Sequence, residues 1–543
     1  MASLQKRICK GHTYWSIVES KRINGKPRPI VIDYIGNDKK LQARLLNNSP
    51  VAIKSYSHGA THALYRMAKV LNIETILDSA FAAHIKNGVK RSTALLIIAI
   101  NRACNPCSKN ALVDWFKGTT LKYEFDNLNE KVLTSDFFWH QMDGITEDEL
   151  KAVEDTISNN IITRYSLKLD KLALDYTNYF TYISSSNTKC EIAKRGHNKQ
   201  KRNDLRQISM TVVTSKELGI PLYSDVYEGN KNDQTEFKKY IKDLKKRIPN
   251  YDSQDLTIVF DGGSVNKENL AIVDNYITRF SLSRVKELYD FEIDDKVAIS
   301  TDKEITYKRF MYNIWGKDVT CILTFSEKLY VGEASEIENN ISKAIKSIEE
   351  LKAKLKNKRS RIAKKIDNIN NEISVILSSS HIKDIINVST IENEGTIDIK
   401  YNVDEKNKVE ILKKYCGKKL IITNRNSWGD AEILKAYYDQ DCIENIFKDS
   451  KNPDYISITP QYHYTESKIR VHIFCCLLGL TLTSLLNKHM KDSGINVTNS
   501  RLIETLNDIR ESWVKMPGNN NVQKMLEETT GEQGKMLNII ETI

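Results

Sequence analysis

The chain has 543 residues, 81 Lys and Arg against 70 Asp and Glu, and a net charge of +11. That length suits about three to four domains. With only 22 Gly and 9 Pro it is neither collagen-like nor a Pro/Gly-rich disordered chain. Nine cysteines, sparse and odd in number, suit a reduced, cytosolic chain better than a disulfide framework. No apolar run reaches the ~18 residues of a membrane span. The longest, Ile473 to Leu486, is interrupted by Gly479, Thr481, Thr483 and Ser484. The N-terminus lacks the apolar stretch of a secretory signal.

Tyr14–Ser20 and Arg28–Ile35 are β-rich and flank Ile23-Asn24-Gly25-Lys26, which predicts a hairpin within residues 1–45. Residues 46–165 read as an all-α domain. Ala63–Leu77 and Ser92–Ala103 carry apolar residues at helical spacing, Ser135-Asp136 is a cap, and Thr146-Glu147-Asp148-Glu149 opens a further helix. From 166 to 289 the period changes. Strands are expected around Leu172-Ala173-Leu174-Asp175, over Gln207–Val213, Pro221–Tyr227 and Leu256–Phe260, with a helix over Thr235–Arg247. This is the pattern of an α/β domain with a mixed sheet.

Segment 290–424 holds strand-like pieces (Val319–Phe325, Thr396–Tyr401) and an isoleucine stripe at threes and fours from Ile337 through Ile348, Ile362 and Ile366 to Ile376. The stripe reads as a helical hairpin broken near Lys356–Ser360, or as a dimerising coiled coil. Residues 425–490 return to helix over Asp430–Asp449 and Ser467–Met490, and 491–543 read as a polar helical tail.

Three places can carry chemistry. Asp175 follows Leu172-Ala173-Leu174 inside an apolar strand, where a carboxylate is costly unless paired or bound to a cation; it caps a turn at a strand end or it binds. Asp261 stands at the C-terminal end of Ile258-Val259-Phe260 before Gly262-Gly263. It is either the N-cap of a following helix or a ligand-binding carboxylate at a strand end. Tyr437, Gln440, Glu444 and Lys451 fall at i, i+3, i+7 and i+14, one face of a helix that Ile443, Ile446 and Phe447 can dock. The basic loop 189–206 carries Lys194, Arg195, Lys199, Lys201, Arg202 and Arg206, suited either to solvent or to a phosphate backbone. Cys104 and Cys107 form a lone CxxC without a second pair, a poor zinc site. Cys475-Cys476 reads as core, and His463 and His472 suit phosphate or packing equally.

The tyrosine–glutamate–lysine spacing resembles the YREK signature of insertion-sequence transposases of the DDE type, with Gln440 where that family has arginine. In order, Leu174-Asp175-Tyr176-Thr177, Gly219-Ile220-Pro221-Leu222, Gly229-Asn230-Lys231-Asn232-Asp233 and Phe260-Asp261-Gly262-Gly263 resemble its other motifs. The resemblance implies a multidomain α/β chain. Its RNase-H-like mixed sheet is flanked by helices, interrupted by an insertion subdomain at 290–424, and preceded by the hairpin and an all-α DNA-end-binding region. It implies Asp175, Asp261 and Glu444 as catalytic residues and as ligands of two Mg2+ ions, with Mn2+ as a substitute, since hard cations favour carboxylate oxygens. Lys194, Arg195, Lys199, Lys201, Arg202, Arg206, Tyr437, Gln440 and Lys451 become the DNA-binding set. The partners implied are double-stranded DNA at the element ends and target, and a second copy in a homodimer, with no membrane. The setting implied is cytoplasmic, at a prokaryotic nucleoid. A stand-alone RNase-H-like nuclease and a non-catalytic DNA-binding descendant are the alternatives.

Overall fold

The computed structural model describes residues 2–543 except 24–25, 47–51, 82–84, 86–87, 126–127, 199–200, 217–218, 252–254, 301–302, 357–364, 394–395, 460 and 517–521. The chain folds as two units. One is Met1–Val153, Asp449–Ile458 and Ser467–Ile543; the other is Glu154–Lys448 and Thr459–Glu466.

In the first unit β1 (Ala2–Cys9), β2 (His12–Ile23) and β3 (Lys26–Asn37) form an antiparallel sheet in the order β1-β2-β3, so the expected hairpin gains a third strand. The predicted turn at Asn24-Gly25 lies outside the described residues. The region expected to be all-α contains β4 (Ala52–Ser57), which pairs with β16 (Arg510–Lys515), itself paired with β17 (Val522–Leu526). The polar tail is therefore not wholly helical; Glu511–Val514 are half-buried within this sheet. The single helix expected over Ala63–Leu77 is two, Gly59–Val70 and Ile73–Ala80, because Asn72 takes a left-handed conformation (φ 54°) between them. Thr134, one residue before the expected cap, accepts the Phe137 N–H and opens the helix Ser135–Gln141. Helix Arg91–Cys104 is buried along its whole length. So is most of Glu466–Asp492, which is long and apolar enough to cross a membrane, contrary to the run-length expectation, yet has 94% of its apolar window buried within the chain. Gly479 permits that packing: a Cβ there would meet the Ala99 carbonyl oxygen at 2.5 Å. His472 and Cys475-Cys476 are buried in this helix, His472 Nε2 lying 3.6 Å from the Cys476 sulfur, so packing accounts for them.

The second unit is built on a sheet of nine strands among the described residues: β5 (Lys171–Thr181), β6 (Arg206–Ser215), β7 (Ile220–Glu228), β8 (Thr257–Phe260), β9 (Tyr276–Phe280), β10 (Asp295–Ser300), β11 (Lys303–Ile314), β12 (Lys317–Phe325) and β15 (Lys418–Thr423). Their order is β10-β11-β12-β15-β9-β8-β5-β6-β7. β5, β8 and β9 run parallel, and the other pairs are antiparallel. Helices cover both faces. Asp233–Arg247 buries Phe237 against Phe260, ring centroids 4.8 Å apart, on one face. Asp430–Tyr438 buries Ile433, Leu434, Ala436 and Tyr437 with Val259, Ile277 and Ile421 on the other. The protein is thus a mixed α/β structure with a large mixed sheet flanked by helices.

The segment expected to be one insertion divides. Its first and last strands, β10 to β12 and β15, extend the large sheet. Helices Glu327–Lys356 and Ile366–Ile376, the hairpin β13 (Ile386–Asn393) and β14 (Thr396–Val403), and helix Glu405–Tyr415 share a core of their own around Ile348, Leu351, Ile369, Ile373 and Ile399. Two helices sharing one core fit the hairpin reading of the isoleucine stripe. Its expected break, with Ile362, falls in residues that are not described.

Candidate active site

The site grows from strand register. β5 and β8 pair in parallel with Leu174 opposite Phe260, so the next residues, Asp175 within β5 and Asp261 just past β8, stand level, with neighbouring strands about 5 Å apart. Asp261 keeps extended backbone (φ −77°, ψ 157°), so both aspartates point away from the face that holds Leu174 and Phe260. β9 pairs Thr278 with Phe260, which sets Arg279 level with Asp261. β15 pairs Ile421 with Arg279 and places Lys419 on that same face two residues along. A row of two carboxylates and two cations therefore crosses one end of the sheet.

The capping alternative for Asp261 is not realised. It precedes the short turn Gly262–Ser264, but its side chain makes no cap hydrogen bond and it is exposed. Gly262 is required by crowding: a Cβ there would meet the Arg279 carbonyl oxygen at 2.8 Å. Asp175 is half-buried, and its Oδ1 accepts the Tyr176 N–H at 2.7 Å.

The expected single helix over Asp430–Asp449 is broken. Asp430–Tyr438 ends in a turn at Asp439-Gln440, and Asp441–Lys451 begins anew. Tyr437 therefore lies on one helix and Glu444 and Lys451 on the next, and their common face is not that of one continuous helix. Gln440 sits in the turn; its backbone carbonyl accepts the Ile443 N–H at 3.0 Å, and its side-chain nitrogen is buried without a hydrogen-bond partner among the described residues. Glu444 is exposed in the first turn of the second helix, anchored as expected by buried Ile443, Ile446 and Phe447.

Electrostatics links Glu444 to Asp261. Burial, then Asp261 and Glu444, raise the buried Tyr437 hydroxyl well above the usual tyrosine range, and Arg279 opposes them. Burial and Arg279 pull the half-buried Lys419 down, while Asp261, Glu333 and Glu444 hold it up. Tyr437 and Lys419 thus feel both carboxylates. A 240 Å³ cleft adjoins the row, lined among others by Asp261, Gly262, Arg279, Ser281, Glu333 and Lys419. Glu333 is engaged, accepting the Gly417 N–H at 2.8 Å. Arg279 and Lys419 were missed in the sequence. Arg279 is the one cation in the short apolar strand Tyr276–Phe280, and Lys419 follows Lys418 at the start of Lys418–Thr423.

The donor set suits a hard divalent cation, since three carboxylates offer only oxygen ligands. Among the described residues, no three His, Cys, Asp or Glu side chains are gathered closely enough to hold a metal ion as they stand. Register brings Asp175 and Asp261 level; Glu444 is related to Asp261 only in that both act on Tyr437 and Lys419.

The basic loop separates into different roles. The Arg206 guanidinium donates to the carbonyls of Ser184, Asn187, Cys190 and Ala193 and so pins the loop's own backbone. Arg202 pairs with both oxygens of Asp204, at 3.0 and 2.9 Å, and covers the Phe180 ring. Lys194 and Arg195 are exposed and line an open 690 Å³ groove with Asn187 and Glu191. Lys201 is exposed with positive φ, and Lys199 lies outside the described residues.

No family model matches the chain. No curated protein matches it either. Among solved structures it is similar to a piggyBac transposase synaptic complex with hairpin DNA. The identity is 9%, 82% of this chain and 77% of that chain are covered, and the TM-score is 0.36.

Proposed function

We propose that this chain is a metal-dependent DNA transposase that binds the ends of its own element, cleaves them and joins them to target DNA. The observation that carries the reading is the register that sets Asp175, inside β5, level with Asp261, just past the end of parallel β8; Asp261 and Glu444 both act on Tyr437 and Lys419. The sheet's run of three antiparallel strands, β7-β6-β5, followed by parallel β8 and β9, supports the RNase-H-like reading. Helices and strands of 327–416, with their own core, take the place of the insertion subdomain.

Asp175, Asp261 and Glu444 would hold two Mg2+ ions, or Mn2+ in their place. Ions so held lower the pKa of an attacking oxygen and offset charge on the leaving oxygen. The chain's own residues do the rest. Arg279 and Lys419 place positive charge beside Asp261, where a phosphodiester would otherwise meet only carboxylates. Tyr437, buried and kept protonated, can donate to a phosphate oxygen. Lys194 and Arg195 hold the strand's backbone away from the reacting phosphorus. An oxygen nucleophile, from water in cleavage or from the freed 3′ end in joining, bonds to phosphorus as the bond to the departing oxygen breaks. Pairing of two ends calls for a homodimer on DNA, and the setting is a prokaryotic cytoplasm.

The second reading, a non-catalytic DNA-binding protein of the same descent, draws on one observation: no three potential ligands among the described residues are already gathered. The test is cleavage and strand transfer of the element's end duplex in magnesium by wild type, Asp175→Asn, Asp261→Asn and Glu444→Gln. The transposase reading expects loss of both reactions in all three variants with end binding retained. Metal-dependent cutting that is absent from wild type would favour the second reading. Cutting by Glu444→Gln near the wild-type rate would remove Glu444 from the site.

A further inference from the structure

The positive charge is concentrated at the start of the chain. Residues 1–40 carry nine Lys and Arg against three Asp and Glu, +6 of the whole chain's +11. Among the described residues β1 pairs with β2 as far as Ala2–Glu19, and past that point β2 and β3 pair as a ribbon of residues 20–23 and 26–29. The ribbon sets Lys21 directly opposite Arg28, Arg22 opposite Pro27 and Ile23 opposite Lys26. Like charges placed directly across a strand pair destabilise it unless an anion lies over them. Lys21 is 3.6 Å from Glu19, while Arg22, Lys26 and Arg28 have no ion-pair partner among the described residues. All four cations are exposed.

We propose that this ribbon is an arm that enters the major groove of duplex DNA, a contact separate from the carboxylate site and from the loop 189–206. Its dimensions suit the groove. Four residues per strand extend about 13 Å, and two strands about 4.8 Å apart, with their side chains, fill the ≈ 12 Å width that admits a β-ribbon. The cations stand on both faces, Lys21, Lys26 and Arg28 on one and Arg22 on the other, so both walls of the groove can be met. Pro27 and Pro29 lie on β3, an edge strand, and block strand addition by a second copy of the chain. The deep, narrow major groove of A-form RNA excludes such a ribbon.

The experiment uses the full chain and a duplex of its element's end. In the variant Lys21→Ala/Arg22→Ala/Lys26→Ala/Arg28→Ala, the slope of log affinity against log salt should fall by about three to four units, with roughly 10- to 100-fold weaker binding at moderate salt. Asp261→Asn should keep the wild-type slope, which separates this arm from the catalytic reading. Should the fourfold variant fold poorly, acetylation of wild type decides: DNA should shield Lys21 and Lys26, and double-stranded RNA should not. An unchanged slope, unshielded lysines, or equal shielding by RNA would each overturn the proposal.

Discussion

Leu174 and Phe260 sit opposite each other in parallel register, and each is followed by an aspartate. The 86 positions that separate Asp175 from Asp261 in sequence vanish in the sheet. Because side chains alternate along a strand, the shared face of the two aspartates depends on register alone. Asp175→Asn and Asp261→Asn should each weaken Mn2+ binding measured by calorimetry. Asp170→Asn, which lies on the same segment but pairs with Lys171 at 3.2 Å, should leave it unchanged. Equal losses at all three positions would refute a paired site.

Arg206 and the pair Lys194/Arg195 should separate stability from binding. Arg206→Ala removes four hydrogen bonds to loop carbonyls and should cost about 2–4 kcal/mol in denaturant unfolding. Lys194→Ala/Arg195→Ala should leave stability within about 0.5 kcal/mol and lower the salt slope of DNA binding by about two.

Arg279 and Lys419 should affect metal and DNA with opposite sign. They repel a cation at Asp261 and attract a phosphate. Arg279→Ala/Lys419→Met should tighten Mn2+ binding several-fold and weaken binding of the end duplex, both read by titration. Weakening of both ligands would mean that the row had collapsed rather than lost charge.

Lys216 gives a pH dependence. Its nitrogen is buried with no hydrogen-bond partner among the described residues, near Asp439, Asp441 and Cys442, and burial lowers it from 10.5 to about 8. Between those values the native chain has released the proton and the unfolded chain has kept it, so stability rises with pH across about pH 8 to 10.5. Below pH 8 both states are protonated, and the full cost of the buried charge is present. Lys216→Met should abolish the rise and stabilise the protein at pH 7 by on the order of 1–3 kcal/mol, measured by chemical unfolding at several pH values.

Ile348 is fully buried in the separate core of residues 327–416. Ile348→Asp puts an unpaired carboxylate there. Limited proteolysis should then cut first within 327–416 and leave the nine-stranded sheet as a resistant fragment. Simultaneous loss of both would make this core part of the main one.

Local signals determined much of the second unit from sequence alone. Leu172-Ala173-Leu174 and Ile258-Val259-Phe260 are short apolar runs that read as buried strands, each followed directly by an aspartate, although only Asp261 stands at a strand end and Asp175 lies inside β5. The isoleucine stripe likewise names two helices that share a core, since spacing by threes and fours is a property of one chain segment. Tertiary structure decided what depends on distant neighbours. Whether Asp261 capped a turn or faced outward rested on its backbone angles and on the approach of Arg279. Asp439-Gln440 broke the helix between Tyr437 and Glu444 although every residue there suits a helix. Arg206 looked like any loop cation until four carbonyls closed around it. Arg510–Lys515, with no alternating pattern of its own, became a strand between Val522–Leu526 and Ala52–Ser57, the latter more than 450 residues earlier. Periodicity and strand ends are written within a few residues, whereas register, pairing and charge neutralisation are set by groups the chain brings together only when it folds.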